Sequence, residues 1–128
     1  MAKKILSIID TAYRATFEEQ DDTALWFSTA CKGAGAEMTV LLTGNAVAYA
    51  TTTQKPEGLS FGNAEIPHPP KLDEDLDRLM KKGGKVLLVR EDAQDRGIPP
   101  SDFMAGVEAI GREGISRLMD QHDLVWHW

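Results

Sequence analysis

Cysteine is nearly missing from this chain: Cys31 stands alone in 128 residues. That excludes an internal disulfide and fits a reducing compartment. No apolar run approaches the roughly 20 residues that span a bilayer. Basic residues are outnumbered, with a net charge of −6. The basic stripe of a sequence-independent nucleic-acid binder is therefore absent. A P-loop, a dinucleotide-binding glycine fingerprint and a nucleophile elbow are all lacking. The turn Asp10-Thr11-Ala12-Tyr13-Arg14 is not a Ser/Thr/Gly-rich loop for a flavin phosphate. His68, His122 and His127 stand at no recognisable metal-ligand spacing. The expectation is a protein with no cofactor, metal, nucleic acid or membrane partner. The opening Met-Ala-Lys-Lys-Ile-Leu has no cleavable signal pattern, so a cytoplasmic location is expected.

What is present suits one domain over residues 1–128, with 42% hydrophobic residues to build a core. Lys4 to Ile9 and Met38 to Leu42 read as buried strands. Between them, Thr16-Phe17-Glu18-Glu19 has the form of a capping box, and a helix runs to about Lys32. A short helix is expected from Ala46 to about Ala50. Residues 51 to 70 carry Pro56, Gly58, Gly62, Pro67, Pro69 and Pro70, which forbid a long regular element there. Loops this long tend to be lids, binding loops or subunit contacts. The next helix, about Lys71 to Lys82, has acids in its first turn, lysines in its last, and an apolar stripe of Leu72, Leu76, Leu79 and Met80. Strands follow at Lys85 to Val89, Val107 to Ile110 and Leu124 to Trp128. A helical turn at Ser101 to Met104 and a helix marked by Ile115, Leu118 and Met119 separate them. Alternating strands and helices predict an α/β fold: a flavodoxin-like sheet of about five mainly parallel strands, covered by helices on both faces.

In such sheets ligands bind outside the carboxyl ends of the strands. The segment Lys81 to Pro100 delivers Arg90, Glu91 and Asp92 at such an end, before the turn Arg96-Gly97-Ile98. Asp10, Thr11 and Tyr13 follow the first strand, and Thr43, Gly44 and Asn45 the second. Arginine offers a planar fork of donors for carboxylate, sulfonate or phosphate. Arg90, Glu91, Asp10, Thr11, Tyr13 and Asn45 are the candidate site for a small anion. The competing reading is a set of helix caps and a surface or subunit-contact ion pair.

Three stretches resemble the DsrE/DsrF/DsrH family, which includes the Tus proteins of the sulfur relay. One is the helix ending in Gly83-Gly84, the strand KVLLV and the turn DRGI. Another is the final EGISRLMDQHDLVWHW, a helix and a strand ending on tryptophan. The third is the strand–helix–strand order of residues 3–47. The resemblance implies a flavodoxin-like domain that assembles as a trimer or hexamer, with itself or with related family subunits. It also implies sulfurtransferase activity through a cysteine persulfide. In the DsrE/TusD-like branch the acceptor cysteine ends the strand before the RG turn; Val89 and Arg90 stand there in this chain. In the DsrH/TusB-like branch it lies early in the first helix, and Cys31 lies late.

Cys31 is thus the only candidate nucleophile. Its spacing with Ala24, Phe27 and Ala34 predicts a buried, inert thiol, and the dipole at a helix C-terminus opposes a thiolate. Leu124, Trp126 and Trp128 share one face of the last strand, as core or as interface anchors. The expected function is that of an oligomeric, accessory, non-catalytic member in sulfur trafficking or sulfur metabolism. The alternative is a small-anion-binding or protein-interaction module that shares the fold only.

Overall fold

The computed structural model describes residues 2–12, 22–55, 58–66 and 69–128. Along the chain these form β1 (Lys4–Ile9), α1 (Thr23–Gly33), β2 (Glu37–Leu42), β3 (Leu59–Phe61), β4 (Ala64–Ile66), α2 (Leu72–Lys81), β5 (Lys85–Val89), α3 (Arg90–Asp95), β6 (Glu108–Ile110), α4 (Ile115–Asp120) and β7 (Leu124–His127). Short 3-10 segments cover Gly44–Ala50, Pro100–Asp102 and Arg112–Gly114.

The main sheet has the order β6-β5-β2-β1-β7, and every neighbouring pair is parallel. The expected five-stranded α/β architecture is present. In flavodoxins the five strands run 2-1-3-4-5 across the sheet. Here the first to fifth sheet strands lie in the order 4-3-2-1-5. The likeness to flavodoxin is thus one of class and layers, and the strand order is different.

Helices lie on both faces, unequally. Ile9, Val40, Leu42, Val86 and Leu88 face α1, the 44–50 segment, α2 and α3. Leu6, Ile8, Leu41, Leu87 and Val89 face Ile110 and, among the described residues, the Ile115 and Leu118 side chains of α4. α2 shows which force places a helix. Its buried Leu72, Leu76 and Leu79 each contribute about 1.5–3 kcal/mol. The exposed Lys81–Asp77 pair at 2.6 Å contributes at most about 1 kcal/mol.

The first helix is described from Thr23; the Thr16–Glu19 capping box lies outside the described residues. Asp22 is the cap, its Oδ1 accepting the Leu25 amide at 3.1 Å and its Oδ2 the Tyr49 hydroxyl at 2.6 Å. Both Asp22 and Tyr49 are fully buried. The buried residues of α1 are Ala24, Leu25 and Ser28, and Cys31 is half-buried, contrary to the expected core position. Two polar anchors rotate the helix. Asp22 is tied to Tyr49, and Ser28 to Ser7 on β1 at 2.9 Å. Phe27 is thereby turned toward the rings of Trp126 and Trp128.

Within residues 51–70 no long element forms, as expected. A hairpin of β3 and β4 does, turning at Gly62-Asn63. The Arg96-Gly97-Ile98 turn has a local cause. Gly97, at φ +68°, ends α3 as its amide bonds Gln94 O at 3.0 Å, and the Ile98 amide bonds Ala93 O at 3.0 Å. This is a Schellman ending, and Ile98 packs on the core behind it.

Candidate functional site

The carboxyl ends of β1, β2, β5 and β6 bring Asp10, Thr43 to Asn45, Arg90 to Asp92 and Arg112 to one edge of the sheet. Asp92 joins them. Its carboxylate accepts the Gly44 amide at 2.8 Å and Arg112 Nη2 at 2.6 Å. Gly44 lies at φ +53°, and a Cβ there would meet Asp10 Oδ1 at 2.5 Å, so a side chain would be strained and would push Asp10 aside. Thr43 Oγ1 donates to the same Asp10 oxygen at 3.1 Å. Arg96 bonds Asn45 Oδ1 through Nε at 2.9 Å and the Asp92 carbonyl through Nη1 at 3.1 Å. Glu91 Oε2 accepts the Arg112 amide at 2.7 Å. Arg90 is exposed, and its Nη2 makes a long 3.4 Å bond to Ala109 O.

These contacts set the charges. Burial pushes the Asp92 carboxyl up, but the Gly44 amide and the Arg112 guanidinium outweigh it and hold it below the usual carboxylate range. The Arg112 amide holds Glu91 down likewise. Asp92 in turn raises the Arg112 guanidinium. Two ionised carboxylates with lowered pKa are poor proton donors at neutral pH, so the cluster is unsuited to general acid catalysis. The anion-binding spot at the Gly44 amide is filled by the chain's own Asp92.

Of the residues singled out from sequence, Asp10, Asn45, Arg90 and Glu91 come together here. Thr11 is exposed beside Asp10, and Tyr13 lies outside the described residues, as does His68. The sequence reading missed Arg112 and the central place of Asp92. The signal was available: Gly111-Arg112-Glu113 follows a short strand, and carboxyl-end loops carry the site in such sheets. Cys31 is elsewhere. Its carbonyl accepts the Ala36 amide in the turn into β2, at the amino end of the sheet. His122 Nδ1 lies 2.7 Å from Leu118 O. Among the described residues no group of His, Cys, Asp and Glu side chains is arranged to hold a metal. No helix among them is long and apolar enough to cross a membrane.

Solved structures show the same fold. The YchN protein from E. coli is 19% identical, with a TM-score of 0.75, all of both chains being covered. MTH1491 from Methanobacterium thermoautotrophicum, a protein of unknown function, is 12% identical with a TM-score of 0.65, covering 97% of this chain and 98% of its own. No curated protein matches the chain. The family model for DsrE/DsrF-like proteins matches residues 4–126, from the first residue of β1 into β7. A match that runs through every strand of the sheet makes this chain a member of the DsrE/DsrF-like family.

Proposed function

We propose that the protein is an oligomeric, non-catalytic member of its family, serving intracellular sulfur trafficking or sulfur metabolism from the cytoplasm. Its partners would be further copies of itself or related family subunits. The observation that carries this reading is the missing thiol. Where the resemblance places an acceptor, at the end of β5, the chain has buried Val89 and exposed Arg90. The only thiol, Cys31, sits at the other end of the sheet, on the last turn of α1. Treatment of the folded protein with a persulfide donor, followed by intact mass measurement, tests it. The mass is expected to stay unchanged. A stoichiometric gain of one sulfur, lost in Cys31→Ser, would restore a transferase role.

A second reading, a small anion at the carboxyl edge, is favoured by one observation. Arg90 is exposed and, among the described residues, makes only the long bond to Ala109 O, so its guanidinium has donors to spare. Arg90, Glu91, Asp10, Thr11, Tyr13 and Asn45 would be its residues. Sulfate should then raise the melting temperature of the wild type and not of Arg90→Ala. Equal response of the two proteins removes this reading.

A further inference from the structure

At the amino end of the sheet, away from the Asp92 cluster, lies a groove of about 710 Å³. Among the described residues α4 is the helix on this second face, reaching the sheet through Ile115 and Leu118. Side chains alternate along a strand. So Lys4 of β1, Glu37 and Thr39 of β2, Lys85 and Leu87 of β5 and Glu108 of β6 share that second face. All six line the groove. Thr39 and Leu87 form its floor, only 7% and 8% exposed. The four charged side chains stand exposed around them. Among the described residues none of the four makes an ion pair. Lys32 and His122 stand at the rim, the former with its amine against Gly83.

We propose that this groove at the amino end of the sheet is an interface with a second copy of the chain. The inference rests on the assembly part of the reading above and names the surface and its partner. From β1 through β2 and β5 to β6 the charges run plus, minus, plus, minus. The registers pair Lys4 with Glu37, Thr39 with Lys85 and Leu87 with Glu108, so the four charges lie on a bent, oblique line: Lys4 and Glu37 stand level, and Lys85 and Glu108 step progressively toward the carboxyl ends. Read from its other end, the line has the opposite sign at every position. A two-fold axis crossing the line between β2 and β5 therefore sets Lys4 against the partner's Glu108 and Glu37 against the partner's Lys85, each contact twice. A small ligand would have to meet both signs across four strands, about 14 Å across the strands and about 13 Å along them at the usual spacings. A second copy meets them by symmetry.

Charge swaps read by sedimentation velocity at micromolar concentration test the surface. Lys4→Glu and Glu108→Lys each place like charges opposite one another across the axis. Each should weaken self-association roughly tenfold or more and halve the assembled mass. An equimolar mixture of the two variants should associate again, because each substituted side chain then meets an opposite charge. The double variant in one chain should recover self-association for the same reason. Circular dichroism of each variant separates loss of contact from loss of fold, and recovery in the mixture requires folded chains. A wild type that stays monomeric overturns both this interface and the proposed assembly. An assembled wild type whose mass neither single variant changes overturns this interface alone. Loss in the single variants without recovery in the mixture also overturns it.

Discussion

Asp92 ties three strand ends together with one carboxylate: β5, which leads into it, β2 through the Gly44 amide, and β6 through Arg112. Its side chain is 15% exposed, so the charge is only partly screened. Asp92→Asn keeps the size but leaves a poorer acceptor against two donors, and is expected to cost about 1–3 kcal/mol at neutral pH. The sign of the pH dependence follows from the lowered carboxyl pKa. The stabilisation is fully present above the ordinary aspartate range, ~3.9, and is lost as pH falls through the lower folded value. Urea unfolding of wild type and Asp92→Asn at pH 7 and near pH 3 should show the gap closing in acid. A gap of constant size would mean that the carboxylate charge contributes nothing. Glu91, lowered in the same direction, is present in both proteins and cancels from the difference.

Elements here are seated by a few buried polar contacts as well as by apolar burial. Trp128, just beyond β7, donates its indole Nε1 proton to Ser7 Oγ at 2.9 Å. Ser7 and Ser28 hydroxyls lie 2.9 Å apart, and Ser28 Oγ lies 2.8 Å from Ala24 O. Each hydroxyl has one proton, so a consistent chain runs from Trp128 to Ser7, Ser28 and the Ala24 carbonyl. It links β7, β1 and α1, and it explains a serine in the middle of an otherwise apolar strand. Trp128→Phe removes the donor and part of the ring, and is expected to cost about 1–2 kcal/mol. A double-mutant cycle with Ser7→Ala measures the coupling. Strict additivity of the two substitutions would show that the bond does not hold the strand. This contact settles one open question about the tryptophans: Trp128 packs on the core, while Trp26 stays 59% exposed on α1. The β3–β4 hairpin was the element missed, although Gly62-Asn63 between two short runs is a hairpin signal. The surrounding prolines and glycines argued for a loop, and three-residue strands are too short to show a period of two.

At the scale of the whole molecule the main sheet carries, among the described residues, more helix on its first face than on its second, and the β3–β4 hairpin stands as a separate small sheet. Strand positions were legible because parallel strands covered on both sides must be apolar on both sides, as in KILSII and KVLLV. A helix end was legible at Gly83-Gly84 and a turn at Gly97, where local backbone bonds close α2 and α3. The candidate edge was legible as a place, since carboxyl-end loops converge in any parallel sheet. Composition and periodicity by themselves determined the α/β class, the five strands of the main sheet and the charged segment after β5, all set within a few residues of one another. The tertiary structure alone decided the strand order, the pairing of Asp92 with Gly44 and Arg112 and the half-exposure of Cys31. Each of these depends on residues far apart in the chain, brought together by burial of apolar surface, which is non-directional. Their partners are selected by which faces meet, and a local pattern carries no record of that.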